Sequence, residues 1–260
     1  MRKCFVKTEN YRNFSTAIKA VEQRGAKEAG LVLVHGAPGY GKTHTVFNWA
    51  AEVGAIFLRA NVDWTPKYAL VELAKELKVD TRGTAQMLFA RLLEPIARAQ
   101  LPIVIDEAEF TLNNKAAALE KIRDISDRAE VTVVLIGMEK IEQNIASYKQ
   151  ISSRIARVVE FAPATLEDVR VACAGLSEVE MTPDLIAEVH RLSGGRMREV
   201  LNIIATIEQV AATNGMIPVV ERVAKTNRLA CVGVDDLAGI PLSHDWQNRT
   251  PRGVRTKKVA

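Results

Sequence analysis

Residues 36–43 read Gly-Ala-Pro-Gly-Tyr-Gly-Lys-Thr, a glycine-rich loop between the apolar run of residues 31–34 and a stretch of helical character. Glycines allow backbone N–H groups to turn inward around an anion, and the amino end of the next helix adds partial positive charge. The spacing G-x-x-x-x-G-K-T in this context predicts a cradle for the phosphates of a nucleotide. A simple glycine-rich turn is the alternative, and the flanking strand and helix argue against it.

Each position of this loop has an expected role. Lys42 is expected to bind β- and γ-phosphate oxygens, and the Thr43 hydroxyl is expected to bind Mg²⁺. The other residues expected to contact the nucleotide lie in the loop or directly after it: Gly36, Ala37, Pro38, Gly39, Tyr40, Gly41 and His44. A nucleoside triphosphate with Mg²⁺ is therefore the expected ligand.

A second apolar run, residues 101–105, ends in the acids Asp106 and Glu107. An all-apolar run is typical of a buried strand in a parallel sheet, so these carboxylates emerge at the sheet edge where ligands bind. There Asp106 is expected to hold Mg²⁺ and Glu107 to act as the general base on the attacking water. Two acids that simply begin the next helix are the alternative. Together the two motifs predict nucleotide binding and hydrolysis.

The composition is that of a globular chain: 260 residues, 48% hydrophobic and 25% charged, with no apolar run of 18 residues. Without such a run, and without a segment near Met1 that resembles a signal peptide, we expect a cytoplasmic protein with no membrane partner. The three cysteines and four histidines have no spacing typical of a disulfide framework or a zinc site. We expect neither.

The basic residues are concentrated at the two ends of the chain. Residues 1–30 contain seven Lys or Arg against three Asp or Glu, and residues 226–260 contain six against three. After Asp245 no acid follows, whereas Arg249, Arg252, Arg255, Lys257 and Lys258 do. Such a tail suits a phosphate backbone or an acidic partner protein, and an ordinary solvated terminus is the alternative.

Apolar runs alternate with helical patterns up to Pro163. Strands are predicted at residues 31–35, 55–58, 103–105, 131–136 and 157–161, which specifies an α/β fold with a doubly wound parallel sheet of five strands. Helices begin at Thr165 and Pro183 and near Met197, Gly215 ends the third, and Pro218 is a possible start for a fourth. The expected organisation is a basic segment with a helix (1–30), a P-loop core (31–163), a helical lid (164–228) and an irregular, flexible tail (229–260).

A P-loop core followed by a helical lid resembles the AAA+ ATPase superfamily. In the segment Gly195-Arg196-Met197-Arg198, the glycine followed three residues later by arginine is similar to that family's sensor 2, which implies that Arg198 contacts the γ-phosphate. Arg154 has the position of the family's arginine finger, which implies action in trans on a neighbouring subunit, with Arg157 as the fallback. Residues 136–138, Ile-Gly-Met, lack the polar sensor 1 residue of many members, so we expect slow hydrolysis.

Within that superfamily, the Val-Leu-Ile-Gly ending of the fourth strand, the Ile-Ser-Ser-Arg sequence and the Ser-Gly-Gly-Arg-Met-Arg-Glu-Val segment resemble the transposition ATPases of the Mu phage B protein, TnsC-like and TniB-like type. The resemblance implies ATP and Mg²⁺ as cofactors and homo-oligomers, as filaments or rings, on double-stranded DNA. It also implies a transposase partner that stimulates hydrolysis, in the cytoplasm of a bacterial host.

If the resemblance holds, DNA contacts are expected from loops and directed mostly at phosphates, without base specificity. The segment after the second strand is the best placed. The expected DNA-binding residues there and in later loops are Arg59, Trp64, Lys67, Arg82 and Lys115. For each one, an ordinary solvated surface residue is the alternative.

Two other functions remain open. One is an ATPase that remodels proteins or loads a helicase, of the ExeA-like secretion or helicase-loader type. ExeA-like ATPases usually add a membrane segment, whereas a loader requires a helicase partner. The other is a passive nucleotide-binding adaptor, which the apolar sensor 1 position favours.

Overall fold

The computed structural model describes residues 1–213, 231–245 and 248–255. Its main sheet has five parallel strands in the order β2-β3-β4-β1-β5, which confirms the predicted α/β fold. The strands are β1 (Leu31–Gly36), β2 (Ile56–Arg59), β3 (Ile103–Asp106), β4 (Val133–Ile136) and β5 (Ile155–Phe161). Neighbouring strands are far apart in sequence, so the connections are helical crossovers.

Burial explains why the apolar runs form the centre of this sheet. Every residue of β1, β3 and β4 is buried, whereas the edge strands β2 and β5 are only partly buried. A central parallel strand is covered on both faces, which requires continuous apolar sequence. The three central strands therefore bring their carboxyl ends to one protected edge.

Seven helices accompany this sheet. They are α1 (Glu9–Glu22), α2 (Lys42–Val53), α3 (Pro66–Glu76), α4 (Ala85–Ala99), α5 (Asn113–Ala129), α6 (Ile141–Ala146) and α7 (Lys149–Ser152). Thr65 and Thr84 cap α3 and α4 through their side-chain oxygens. A 3₁₀ turn at Ala108–Leu112 follows β3. In α5, residues 114–116 have left-handed backbone angles, so the helix is kinked near its start.

Among the residues that the structure describes, three helices follow the sheet: α8 (Leu166–Leu176), α9 (Pro183–Ser193) and α10 (Met197–Thr213). Thr165 and Asp168 form a capping box at α8, and Thr182 caps α9 ahead of a proline at the first helical position. Their buried faces share one core, to which Val200, Ile203 and Ile204 contribute. The helix stop at Gly215 and the start at Pro218 lie outside the described residues.

The expectation of an irregular tail is wrong for its described part. Strand β7 (Cys231–Val232) pairs in parallel with β6 (Glu180–Met181), and β8 (Pro241–Asp245) forms an antiparallel hairpin with β9 (Thr250–Gly253). Leu237 and Leu242 are buried in the same core as α8–α10. These strands are too short to give a periodic signal, and their prolines are tolerated because both hairpin strands are edges.

Contacts divide the chain into two compact units that interleave in sequence. One contains Tyr11–Ala37 and Lys42–Phe161, and the other contains Met1–Asn10, Pro38–Gly41 and Ala162–Ala260. The predicted boundaries at 30, 163 and 228 stay predictions. Within the parts of the chain that the structure describes, none of the helices has the length and hydrophobicity needed to cross a membrane.

Candidate nucleotide site

The glycine-rich loop begins where β1 ends against β5. Gly36 has φ +145, and a Cβ atom at this position would lie 2.5 Å from the Phe161 carbonyl oxygen. Any side chain would therefore push the start of the loop away from the neighbouring strand. Only glycine permits this close approach and this backbone angle together.

The first turn of α2 contributes the two polar side chains predicted for phosphate and magnesium. Lys42 Nζ donates hydrogen bonds to the Gly36 and Ala37 carbonyl oxygens, at 2.6 and 2.9 Å. Thr43 Oγ1 donates to Asp106 Oδ1 at 3.2 Å. The hydroxyl and the carboxylate thus meet at the sheet edge, and hard oxygen ligands of this kind suit Mg²⁺. The predicted magnesium ligands fit the ion.

The two acids after β3 have different environments. Asp106 is 3% exposed, and its Oδ1 also accepts a hydrogen bond from the Glu107 backbone N–H at 3.0 Å. Glu107 is exposed and has left-handed backbone angles, φ 54 and ψ 42. Non-glycine residues rarely adopt these angles, and such residues cluster at functional sites. The turn directs Glu107 away from the strand while Asp106 stays fixed.

Arg59 lies beside these acids, because the last residue of β2 is in register with the last residue of β3. Its Nη2 donates to Asp106 Oδ2 at 3.0 Å, and its Nε is 4.0 Å from Glu107 Oε1. Sequence analysis assigned Arg59 to DNA, whereas the structure brings it to the carboxylates of the candidate site. Its assignment to DNA therefore stays a prediction that must compete with this ion pair.

The end of β4 completes the edge. The Gly137 N–H donates to the Val34 carbonyl oxygen at 2.9 Å, and the Met138 N–H donates to the carboxylate of Glu109. Glu109 was not among the residues predicted from sequence. The only available signal was its place in the run Asp-Glu-Ala-Glu, two residues after Glu107.

The tip of the glycine-rich loop belongs to the same compact unit as α8–α10. The Arg198 backbone N–H donates to the Gly39 carbonyl oxygen at 3.2 Å. A Cβ atom at Gly39 would lie 3.7 Å from the Cβ atoms of both Arg196 and Arg198. These residues, with Pro38 and Glu199, line a cavity of about 220 Å³. Two arginines at the tip of the glycine-rich loop provide charge complementary to an anion. Of the two arginines, only Arg198 was predicted from sequence to contact the nucleotide.

Comparison with known proteins agrees with this geometry. Residues 23–145 match the protein family described as an AAA domain. Cdc6p from Pyrobaculum aerophilum is similar with a TM-score of 0.60 and 18% identity, over 82% of this chain and 65% of that protein. The fold is that of an AAA+ P-loop NTPase. A search of curated proteins found no match to the chain.

Two further solved structures share the AAA+ fold. The Orc1 protein of Aeropyrum pernix, in complex with DNA, has a TM-score of 0.58 and 18% identity, over 82% of this chain and 62% of that protein. A RuvB point mutant from Thermotoga maritima has a TM-score of 0.56 and 19% identity, over 81% of this chain and 66% of that protein. The chain spans less than two thirds of each of the three structures.

The other residues that were predicted for the site lie in different environments. Arg154 precedes β5 and donates through Nε to Asp127 Oδ2 at 3.2 Å, so it is paired within its own chain. Arg157 lies exposed on β5. Trp64 is 2% exposed and packs in the core beside the sheet. Its assignment to DNA is wrong, because a ring buried in the core cannot contact a sugar.

Besides Arg59, three other predicted DNA-binding residues are accessible. Lys67 lies at the start of α3, Arg82 lies in the connection to α4, and Lys115 lies in the kink of α5. All three side chains are exposed. His44, after the glycine-rich loop, is also exposed, whereas Tyr40 is half-buried. The roles of these five residues stay predictions.

Proposed function

We propose that this protein is an ATPase that binds ATP and Mg²⁺ at the loop of residues 36–43. The observation that carries the proposal is the 3.2 Å contact between Thr43 Oγ1 and Asp106 Oδ1. It joins the first turn of the helix after the loop to the acid that ends a central strand. An Mg²⁺ ion held there would neutralise developing charge on the phosphates.

The surrounding residues have complementary roles in this proposal. Thr43 and Asp106 hold the metal, and Lys42 exchanges its carbonyl partners in the loop for phosphate oxygens. Glu107 accepts a proton from the attacking water. Arg198 contacts the terminal phosphate in cis, and Arg154 contacts the phosphate bound by a neighbouring subunit.

The proposal extends to DNA. We infer that the protein binds double-stranded DNA through phosphates, without sequence preference, and forms oligomers on it. Support comes from the exposed cations Lys67, Arg82 and Lys115, from the basic chain ends, and from the similar AAA+ fold of an Orc1 protein that was solved with DNA. ATP acts as the assembly switch, since nucleotide bridging two subunits favours the assembled state.

Within this class, we propose delivery of target DNA to a transposase. Support for this step is the sequence resemblance of the sheet and lid motifs to transposition ATPases. The alternative is a loader that acts on a helicase, and the similarity to solved AAA+ structures does not favour either function over the other. Both functions need ATP and DNA, so the partner protein distinguishes them.

The first experiment is electron microscopy of the purified protein with a random-sequence DNA duplex. Samples contain ATP, a slowly hydrolysed ATP analogue, ADP or no nucleotide. Filaments or rings on DNA only with the triphosphates are expected. Single particles or DNA-independent rings under all conditions would contradict the DNA-assembly function.

Two variants test the role of nucleotide in that assembly. Lys42→Ala is expected to abolish ATP-stimulated DNA binding, because the phosphates lose their main cation. Glu107→Gln is expected to bind ATP and to form persistent assemblies, because hydrolysis no longer releases them. Unchanged DNA retention by Lys42→Ala would overturn the proposal that ATP switches the protein to its DNA-assembled state.

A further inference from the structure

The end of β4 has no room for a side chain at the position where sequence analysis found no polar residue. A Cβ atom on Gly137 would lie 2.4 Å from Ile141 Cδ1 and 2.9 Å from Glu109 Oε1. The space beside Gly137 is therefore filled by an apolar group from α6 and by a carboxylate from the turn after β3. A polar group does lie at this edge of the sheet, but it is the Glu109 carboxylate, which comes from the turn after β3 and not from the end of β4.

Glu109 is held firmly enough to act as a link. It lies in the 3₁₀ turn Ala108–Leu112, and its carboxylate accepts a hydrogen bond from the Met138 N–H. Two hydrogen bonds close the turn. The Phe110 N–H donates to the Glu107 carbonyl oxygen at 3.1 Å, and the buried Thr111 hydroxyl donates to the Ala108 carbonyl oxygen at 2.6 Å. The carboxylate thus joins the turn after β3 to the end of β4.

The same turn determines the backbone of Glu107. This residue has left-handed angles, and a non-glycine residue keeps such angles only where its surroundings fix them. Its N–H donates to the carboxylate of Asp106 and its carbonyl oxygen accepts from the Phe110 N–H, so both hydrogen bonds are local to residues 106–110. The contact from Glu109 to Met138 is the side-chain bond that anchors the turn to a neighbouring strand.

We propose that Glu109 is a positioning residue for ATP hydrolysis, acting through Glu107. By fixing the turn to β4, it holds the general base at one distance from the attacking water. This inference rests on the proposed ATPase function and on the role of Glu107. It assigns to Glu109 the task of orienting the base, without contact to nucleotide or metal.

The test compares Glu109→Ala with Glu109→Gln, which keeps an acceptor oxygen at the same length. In Glu109→Ala, kcat is expected to fall about tenfold or more, because small misplacements of a catalytic group cost rates of this order. The affinity for ATP is expected to stay within about twofold, since the phosphate-binding residues are untouched. Glu109→Gln is expected to restore most of kcat. Glu139→Ala, which removes an exposed acid next to Met138, is the matched control.

Hydrogen exchange gives a readout independent of activity. The Met138 amide is expected to exchange faster in Glu109→Ala than in the wild-type protein, and to be protected again in Glu109→Gln. Gly137→Ala, whose Cβ atom would displace both Ile141 and Glu109, is expected to reproduce the kcat defect if Glu109→Ala fails to fold. Wild-type kcat in Glu109→Ala, or equal losses of kcat in the Ala and Gln variants, would overturn the inference about Glu109 and leave the proposed ATPase function intact. Wild-type protein that binds ATP without hydrolysing it would overturn both the inference and the proposed ATPase function.

Discussion

Arg59 and Asp106 are the last residues of two neighbouring strands, and their side chains form an ion pair with 3.0 Å between Nη2 and Oδ2. The guanidinium is largely exposed, whereas the carboxylate is buried. Asp106 is also the carboxylate that we expect to hold Mg²⁺. If Mg²⁺ binds there as proposed, the metal and Arg59 compete for one carboxylate, and the ion pair then affects the affinity for the metal.

Arg59→Ala is expected to lower the Mg²⁺ concentration needed for half-maximal nucleotide binding. The guanidinium is largely exposed to solvent, which limits the contribution of this ion pair to about 1 kcal/mol, so the shift is about two- to fivefold. Titration of Mg²⁺ against a fluorescent nucleotide measures it. Lys67→Ala, which removes an exposed cation a few residues later, is the control and is expected to leave the titration unchanged. A higher Mg²⁺ requirement in Arg59→Ala would show that Arg59 assists the site.

Arg196→Ala and Arg198→Ala are both expected to weaken binding of ATP more than binding of ADP. Both side chains lie against Gly39 at the loop tip, and a hydrogen bond to a charged group contributes about 1.5–3 kcal/mol. About a tenfold or greater loss of ATP affinity is therefore expected for each variant, by isothermal titration calorimetry. Arg170→Ala is the control, because Arg170 pairs with Glu167 on the surface of α8. Wild-type affinity in Arg196→Ala would restrict the phosphate contact to Arg198.

Trp64→Ala is expected to destabilise the protein by about 3–5 kcal/mol, as for other large buried side chains. Urea unfolding followed by circular dichroism measures this loss. DNA binding per folded molecule is expected to be unchanged, because the ring does not reach the surface. Val62→Ala is the control, since Val62 is exposed and close in sequence. Selective loss of DNA binding at full stability would contradict the burial of Trp64.

The thiol of Cys173 is expected to resist alkylation at pH 8 in the folded protein. Burial in α8 raises the pKa of Cys173 to about 12, so the thiol stays protonated and inaccessible. Cys4 and Cys231 are exposed, although burial raises the pKa of Cys231 as well. Mass spectrometry after iodoacetamide treatment is expected to find Cys173 modified only in denaturant. Modification of Cys173 at the rate of Cys4 without denaturant would contradict its burial.

Arg154→Ala is expected to lose roughly 100-fold or more of any assembly-dependent ATPase activity. Mixing it with Glu107→Gln is expected to restore part of the activity, because the Glu107 variant binds ATP, assembles and supplies Arg154 to neighbouring sites that retain Glu107. Steady-state hydrolysis across mixing ratios measures this recovery. Arg157→Ala, which removes an exposed arginine of β5, is the control that shows whether Arg154 or Arg157 acts on the neighbouring site. If no mixture recovers activity while both variants assemble, Arg154 does not act in trans.

Sequence alone was sufficient for the central part of the fold. The five parallel strands follow from short apolar runs separated by helical patterns, and the caps at Thr165 and Thr182 follow from local hydrogen-bonding chemistry. The tail was predicted poorly because strands of two to five residues depend on partners that are distant in sequence. Pairing of Cys231 with Glu180 leaves no local signal.

The candidate site shows the same division. Lys42, Thr43 and Asp106 were predicted from sequence because each ends a strand or begins a helix at fixed spacing. The structure places the Thr43 hydroxyl beside Asp106, and the roles of all three residues stay predictions. The pairing of Arg59 with Asp106 and the link from Glu109 to Met138 were decided only by tertiary structure. Both depend on which strand ends become neighbours in the sheet, and that order is set by packing across the whole core.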